Sequence, residues 1–298
     1  MAKDFKQLEW DEATIDDCRQ LIRLAVREDL GRMHDWTTVA LVAHDVRGQA
    51  AVVARRDGVL SGLPAAELVL SEMNTQLTLT RVAEDAQRLS PGETVATVEG
   101  SARDLLTSER ILLNILGRLS GIATLTRAFV DAVADSGARI YDTRKTTPGW
   151  RRLEKYAVRC GGGYNHRTGL FDAILIKDNH LASGVTAAEA VLRARSFLAD
   201  NLADQQDMII EVEVDSLAQL ADVLPVQPDI VLLDNMTPDA LRQAVAMRDD
   251  EAKQVQLEAS GGIRLQNVAD ISATGIDRIS VGALTHSAVA LDLGLDWL

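Results

Sequence analysis

Cysteine is scarce in this 298-residue sequence, which contains only Cys18 and Cys160. The two cysteines lie far apart and form neither a CxxC pair nor a spacing typical of zinc ligands. Their scarcity argues against a disulfide scaffold and favours a reducing compartment. Because cysteine is among the residues most often buried, we predict that both are free thiols inside the protein.

Long apolar runs are also missing. No stretch approaches the roughly 20 apolar residues that a membrane-spanning helix needs. The beginning, MAKDFKQLEWDEATIDD, is too charged for a signal peptide. We therefore expect a soluble, cytoplasmic protein. No GxGxxG follows a strand and no GxxxxGK(S/T) loop occurs, so neither dinucleotide binding nor P-loop binding is supported.

Positive charge is scarce overall but locally concentrated. The chain carries a net charge of −13, yet residues 144–180 contain eight Lys/Arg against three acidic residues. This segment carries +5, which leaves −18 for the rest of the chain. Clustered cations repel one another, so the segment predicts a pocket for a small polyanion. The acidic remainder disfavours general binding to nucleic acid.

The first third of the chain predicts an α+β unit. Residues 14–30 have apolar positions at helical spacing and end at Gly31, which predicts an amphipathic helix. Short runs rich in β-branched residues flank a helical stretch, LPAAELVLSEM, and predict an antiparallel sheet. Residues 103–134 predict a long helix, kinked near Gly117 to Gly121, that joins the two halves.

The second half alternates strand-like and helical segments. ARIYD, AILIKD, MIIEVEV, DIVLLDN, VQLEAS and DRISVG are apolar runs, which indicates parallel strands buried on both faces. A βα barrel and an open doubly wound sheet both fit this order. The barrel is favoured because it brings the ends of the strands to one mouth. Polar or small residues mark those ends: Asp142, Arg144, Lys177, Glu213, Asp234, Ser260 and Gly282.

Cationic side chains form the first group of candidate ligands. Arginine grips a planar carboxylate with two hydrogen bonds, whereas lysine and protonated histidine add a point charge. The candidates are Arg144, Lys145, His166, Arg167 and Lys177, with Arg110 on the long helix as a contributor from outside the barrel. Four further cations are better explained as a solvated helix face: Arg151, Arg152, Lys155 and Arg159.

Two carboxylates and two small-residue turns form the other candidate groups. Glu213 and Asp234 each end an apolar strand, where an isolated carboxylate is costly. They suit Mg²⁺ or ribose hydroxyls, and pairing with a lysine is the alternative. Ser260-Gly261-Gly262 and Gly282-Ala283 follow the last two strands. Their exposed backbone N–H groups predict a phosphate site, although a tight turn would explain each alone.

Seven ordered motifs give the chain a family resemblance. TRKTTPG, GGGYNHRTGL, ILIKDNH, EVEVDS, VLLDNM, LEASGGI and VGALTHSA resemble quinolinate phosphoribosyltransferase, and TSER, LSGIAT and REDLG extend the match. The resemblance implies an N-terminal α+β sandwich domain and an incomplete α/β barrel of fewer than eight strands. We expect the first domain at residues 1–119, with 285–298 packing back on it, and the barrel at 120–284.

The resemblance also implies a reaction. Quinolinate and phosphoribosyl pyrophosphate would give nicotinate mononucleotide, pyrophosphate and CO₂ in NAD biosynthesis, with Mg²⁺ as cofactor. A homodimer, or a hexamer of dimers, is expected, in which Arg110 enters the site of the partner subunit.

Site roles follow motif by motif from the resemblance. The quinolinate carboxylates are expected to meet Arg144, His166, Arg167 and Lys177, together with Arg110. Lys145 is expected to bridge the two substrates. The ribose hydroxyls and the Mg²⁺-pyrophosphate are assigned to Glu213 and Asp234. The 5′-phosphate is assigned to Ser260, Gly261, Gly282 and Ala283. One segment, GRMHDWTT, departs from the family pattern, and Asp35, Thr37 and Thr38 are expected to keep its role.

Two other functions fit part of the sequence. Lys177, at a strand end, would be the nucleophile of a Schiff-base lyase. A re-purposed homologue, such as the branch associated with molybdenum transport, is the second alternative, because fold does not determine function. The complete set of cations from Arg110 to Lys177 favours quinolinate chemistry over both.

Overall fold

The computed structural model describes residues 3–182, 184–202 and 207–298. The chain forms two compact units. The parallel-sheet unit comprises the described residues of Met1–Gln7, Ala128–Arg144 and Gly163–Ala283. The antiparallel-sheet unit comprises Leu8–Arg127, Lys145–Gly162 and Leu284–Leu298.

Several segments are grouped differently from the predicted domains. Residues 3–7 belong to the parallel-sheet unit, and residues 120–127, 145–162 and 284 belong to the antiparallel-sheet unit. The prediction followed the order of motifs along the chain, and that order does not reveal which unit a short segment packs against.

The strands of the described chain are β1 (Arg47–Ala54), β2 (Gly58–Val59), β3 (Leu77–Arg81), β4 (Arg88–Leu89), β5 (Thr94–Ser101), β6 (Arg139–Tyr141), β7 (Ala173–Ile176), β8 (Ile209–Val214), β9 (Ile230–Asp234), β10 (Gln256–Ser260), β11 (Arg278–Ser280) and β12 (Leu293–Trp297). The helices are α1 (Glu12–Leu30), α2 (Trp36–Leu41), α3 (Leu63–Glu72), α4 (Ala102–Ala132), α5 (Arg151–Cys160), α6 (Asp178–Leu181), α7 (Ala187–Asn201), α8 (Leu217–Val223), α9 (Pro238–Glu251), α10 (Val268–Ser272) and α11 (Ala283–His286). None of these helices combines the length and the apolar character needed to cross a bilayer.

The antiparallel-sheet unit contains a four-stranded sheet in the order β12-β1-β5-β3. All three pairings are antiparallel, which confirms the predicted sheet. β12 was not predicted as a strand, yet it pairs with β1 over the register Ala50–Trp297 to Ala54–Leu293. The C-terminal residues therefore complete this sheet at one edge.

Two glycines of α4 allow close packing within this unit. The helix is continuous over its 31 residues, including the region where a kink was predicted. The N–H of Leu291 donates to the carbonyl of Gly117 at 2.8 Å. A Cβ on Gly121 would overlap the carbonyl of Val289. The absence of side chains lets the C-terminal segment lie directly on the helix.

The segment that departs from the family pattern forms a helix start. Asp35 is the N-cap of α2, and its Oδ1 accepts the N–H of Thr38 at 3.0 Å. Hydrogen bonds from Thr38 to the carboxylate hold the pKa of Asp35 below its ordinary value. Asp35 and Thr38 thus provide a standard helix cap.

The parallel-sheet unit contains six parallel strands in the order β6-β11-β10-β9-β8-β7. This is the cyclic order of a barrel that is open between β6 and β7. A doubly wound sheet would reverse its order partway, and this sheet does not. Among the described residues, β6 and β7 are not paired with each other, and β6 makes an isolated bridge from Tyr141 to Tyr164, which precedes β7. The predicted incomplete barrel order is confirmed.

Helix α5 does not match its prediction as a solvated face. Lys155 is fully buried, so the prediction is wrong for this residue. Glu154 is also fully buried and pairs with Arg118, with Nη2 to Oε1 at 2.6 Å. Arg151, Arg152 and Arg159 are only partly exposed.

Both cysteines are free and buried, as predicted. Burial is the main cause that raises the pKa of Cys18 to about 12 and that of Cys160 to about 11. We expect the native protein to resist labelling by a thiol-reactive disulfide reagent at pH 8, because only the thiolate attacks. The unfolded chain should label at both cysteines within minutes. Rapid labelling of native protein would contradict this expectation.

Candidate active site

Asp142 anchors the loop that carries two of the predicted ligands. It follows β6 and is fully buried. Its Oδ1 accepts the N–H of His166 at 2.8 Å, and its Oδ2 accepts the side-chain amide of Asn165 at 2.7 Å. Its own N–H donates to the carbonyl of Tyr164 at 3.0 Å. The sequence placed Asp142 among the strand ends, and its contacts show that it holds the loop in place.

Arg144 and Arg167 lie close enough for their charges to interact. Burial is the main reason that the pKa of Arg167 lies below its ordinary value, and the charge of Arg144 lowers it further. The Nε atom of Arg144 is buried and has no hydrogen-bond partner among the described residues. Two guanidinium groups that repel each other and keep an unused buried donor are suited to an anion that bridges them.

His166 is buried, and both of its ring nitrogens face protein groups. Nδ1 accepts the N–H of Arg167 at 2.8 Å. Nε2 lies 3.0 Å from Oε2 of Glu211 and 3.5 Å from Oε1 of Glu258. Burial alone lowers the pKa of His166, but the two carboxylates outweigh it and the net shift is upward.

The strand ends β7 to β10 bring together four predicted residues. Nζ of Lys177 forms an ion pair with Oε2 of Glu213, the pairing that the sequence left open as the alternative. Asp234 is in register with Ser260 on the neighbouring strand. All four lie at the carboxyl ends of adjacent parallel strands, where barrel enzymes place their sites.

The turn after β10 requires glycine. Gly261 has φ +89°, and a Cβ there would overlap the side chain of Asn235. Asn235 closes the turn from the side of β9 by donating its N–H to the carbonyl of Ser260 at 2.9 Å. β11 pairs with β10, and Gly282 lies two residues beyond the end of β11. Ala283 follows as the first residue of α11.

Two predicted residues belong to the antiparallel-sheet unit. Arg110 is exposed on α4. Lys145 is also exposed, and its carbonyl accepts the hydroxyl of Thr285 at 2.8 Å. Their predicted roles stay predictions.

Family models match nearly the whole described chain. A model of the quinolinate phosphoribosyl transferase N-terminal domain matches residues 35–120, and a model of the C-terminal domain matches residues 122–296. The chain belongs to the quinolinate phosphoribosyltransferase family.

Individual family members are similar over most of their length. The nicotinate-nucleotide pyrophosphorylase [carboxylating] of Mycobacterium leprae is 46% identical over 96% of this chain and 99% of its own. Quinolinate phosphoribosyltransferase [decarboxylating] 1b of Nicotiana tabacum is 36% identical over 94% of this chain and 82% of its own. The solved nicotinate-nucleotide pyrophosphorylase of Francisella tularensis superposes with a TM-score of 0.89 at 34% identity, covering 99% of this chain and 100% of its own.

Three buried residues of this family member were missed by the sequence analysis: Glu211, Glu258 and Arg278. Nε of Arg278 donates to Oε2 of Glu258 at 2.8 Å, and the guanidinium lies 3.6 Å from the ring centroid of Tyr141. The sequence did contain a signal for two of them, Glu211 and Glu258. Glu211 and Glu258 each precede a predicted ligand by two residues, Glu213 and Ser260, and therefore share its face of the strand.

The predicted magnesium ion is compatible with one group of carboxylates and not with another. Glu213 and Asp234 are partly exposed oxygen donors on adjacent strands, which is the donor set that Mg²⁺ shares with waters and phosphates. His166, Glu211 and Glu258 also lie within 4.8 Å of one another. There the guanidinium of Arg278 already supplies the positive charge, so this cluster does not suit a metal ion.

Proposed function

We propose that this protein transfers the phosphoribosyl group of phosphoribosyl pyrophosphate to quinolinate, with loss of CO₂, to form nicotinate mononucleotide and pyrophosphate in NAD biosynthesis. One observation carries the proposal beyond family membership. Arg144 and Arg167 form a mutually repelling pair with an unused buried donor. Quinolinate is a dianion with carboxylates on neighbouring ring carbons, which such a pair accommodates.

The quinolinate subsite is assigned first. Arg144 and Arg167 supply guanidinium groups to the carboxylates. Lys177 adds a point charge from the end of β7. His166 contributes from the loop, where its Nδ1 accepts the N–H of Arg167. Arg110 of a second subunit completes the set, so the active form is a homodimer or a hexamer built from dimers.

The second substrate occupies the remaining strand ends. Glu213 and Asp234 hold the ribose hydroxyls and would hold Mg²⁺, mainly through water and pyrophosphate. The 5′-phosphate accepts hydrogen bonds from the backbone N–H groups around Ser260, Gly261, Gly282 and Ala283, because small residues allow it to approach the main chain. Lys145 lies next to Arg144 in sequence and bridges the two substrates.

The reaction requires no protein nucleophile. The pyridine nitrogen forms a bond to the anomeric carbon while the bond from that carbon to pyrophosphate breaks, and the electron pair leaves with pyrophosphate. Bound Mg²⁺ would neutralise part of that departing charge. The pyridinium then accepts the electron pair of the bond to the 2-carboxylate, CO₂ leaves, and a proton takes its place on carbon. The protein contributes position and fixed charge.

The Schiff-base alternative has less structural support. The ammonium group of Lys177 is paired with Glu213, which is the arrangement of a fixed cation. No described contact specifically favours a re-purposed homologue. A cytoplasmic location remains part of the proposal, and two tobacco relatives carry the description mitochondrial.

Replacing Arg144 by alanine tests the proposed subsite. We expect the KM for quinolinate to rise about 10- to 100-fold, because a charge-assisted bidentate contact of about 1.5–3 kcal/mol is lost. The KM for phosphoribosyl pyrophosphate should change less than twofold. Steady-state assays of CO₂ and nicotinate mononucleotide measure both constants.

The controls use a second substrate and a second cation. Nicotinic acid, which has one carboxylate, should not react with the unmodified protein. Arg144→Lys should recover only part of the loss, because lysine cannot make two parallel hydrogen bonds. Equal increases in both KM values for Arg144→Ala would count against a dedicated quinolinate subsite.

A further inference from the structure

Residues Asp4–Gln7 lie inside the parallel-sheet unit although they precede its other segments by more than a hundred residues. Phe5 is 5% exposed and shares an apolar cluster with Ala173, Ile209 and Ile230. Those three are the first residues of β7, β8 and β9. Phe5 therefore fills the end of the barrel opposite the strand ends that carry the predicted ligands.

The ring of Phe5 also reaches the proposed substrate loop. Its centroid lies 4.3 Å from that of His166, with the two planes tilted by 34°. His166 is thus held on one side by Phe5 and at Nε2 by the buried carboxylates of Glu211 and Glu258. Its remaining ring nitrogen, Nδ1, accepts the N–H of Arg167. A side chain that packs against this ring therefore helps to fix the position of the Arg167 backbone.

Gln7 holds the same loop through the main chain. Its Oε1 accepts the N–H of Asn165 at 2.7 Å, and its Nε2 donates to the carbonyl of Asn165 at 3.2 Å. Nε2 also donates to the carbonyl of Phe5 at 2.9 Å, which ties the two contacts together. One side chain therefore satisfies both backbone groups of a residue two positions before Arg167.

The segment is itself firmly attached to the sheet. Oδ1 of Asp4 accepts from Nη1 of Arg278 at 2.9 Å, and its Oδ2 accepts the hydroxyl of Tyr141 at 2.9 Å. These contacts join the segment to β11 and β6. A segment with no such attachment could not transmit a constraint to the loop.

We propose that Asp4–Gln7 positions Arg167 for the quinolinate carboxylates. Phe5 acts through the ring of His166, and Gln7 acts through the backbone of Asn165. Both are positioning residues, since neither touches the substrate. This inference rests on the proposed assignment of Arg167 to the quinolinate subsite.

The test compares KM values for the two substrates in four variants of the full chain. Phe5→Ala and Gln7→Ala are each expected to raise the KM for quinolinate about 5- to 20-fold, with the KM for phosphoribosyl pyrophosphate within twofold and kcat near that of the unmodified protein. Phe129→Ala is the matched control, because Phe129 is a 2% exposed phenylalanine of the same unit outside the segment. Lys3→Ala removes only the ion pair to Asp229. Both controls should leave the two KM values unchanged.

The outcomes separate a positioning role from a general loss of stability. Where Phe5→Ala does not fold, Phe5→Leu, which keeps an apolar side chain, should show the same selective change in a smaller degree. Unchanged KM values for Phe5 and Gln7 variants, in a protein where Arg167→Ala raises the KM for quinolinate, overturn the positioning role alone. An Arg167→Ala variant with an unchanged KM for quinolinate overturns the subsite assignment and the positioning role with it. Equal changes in the KM values for both substrates also overturn the positioning role. So does a selective rise in the KM for quinolinate in Phe129→Ala.

Discussion

Replacing Lys145 by alanine is expected to lower kcat by about 10²–10³-fold, because the proposed mechanism uses this preorganised cation between the two substrates to stabilise charge that develops in the transition state. Lys145 is exposed, so its loss should change stability by no more than about 0.5 kcal/mol. Turnover is measured with saturating quinolinate and phosphoribosyl pyrophosphate. Thermal unfolding of the same sample confirms that the variant is folded.

Lys253→Ala supplies the matched control, because Lys253 is also exposed and belongs to none of the proposed subsites. Its kcat should equal that of the unmodified protein. A Lys145→Ala variant that keeps most of its kcat would remove Lys145 from the proposed mechanism.

The same variant tests whether Arg110 acts across a dimer. Co-expressed Lys145→Ala and Arg110→Ala chains should form mixed dimers in which one of the two sites contains both residues. Random pairing then restores about a quarter of the normal activity. Two variants that are each inactive and stay inactive together would show that Arg110 does not complete a site of its partner.

Replacing Arg278 by methionine is expected to lower the free energy of unfolding by about 3–5 kcal/mol, because one partner of a buried ion pair is removed and the other stays charged. Arg278 and Glu258 are both fully buried. Burial lowers the pKa of Arg278, but the charge of Glu258 outweighs it, so the net shift is upward. Urea denaturation followed by circular dichroism measures the loss.

Two further variants show whether the loss comes from the pair. Arg242→Met removes an exposed ion pair to Asp239 and should cost less than about 0.5 kcal/mol. Adding Glu258→Gln to Arg278→Met should recover part of the loss, since the uncompensated charge disappears. Strictly additive losses would mean that Arg278 stabilises the core by packing alone.

Much of the fold follows from local patterns. Alternating apolar runs and helical segments predicted six parallel strands, and the polar residues at their ends predicted that Lys177, Glu213, Asp234 and Ser260 lie together. The reason is geometric: parallel strands in barrel order bring their carboxyl ends to one mouth. Residues two apart on a strand share a face, so the same pattern could also have predicted that Glu211 lies near these residues.

The buried charged residues inside the barrel could not be predicted, because their partners lie far away in the sequence. Asp4 and Arg278 are hydrogen-bonded across a separation of 274 residues. No periodicity within either segment indicates such a partner. The same limitation explains why fully buried Lys155 was predicted as part of a solvated face.

By itself, the sequence determined the fold class, the family and the identity of the cations and carboxylates at the strand ends, because these depend on residue order and on periods of a few residues. Only the tertiary structure decided that Phe5 and Gln7 hold the loop before Arg167 and that Glu258 is neutralised by Arg278. Those arrangements form when distant segments pack together, and their stabilisation comes from burial and charge pairing that no single segment contains.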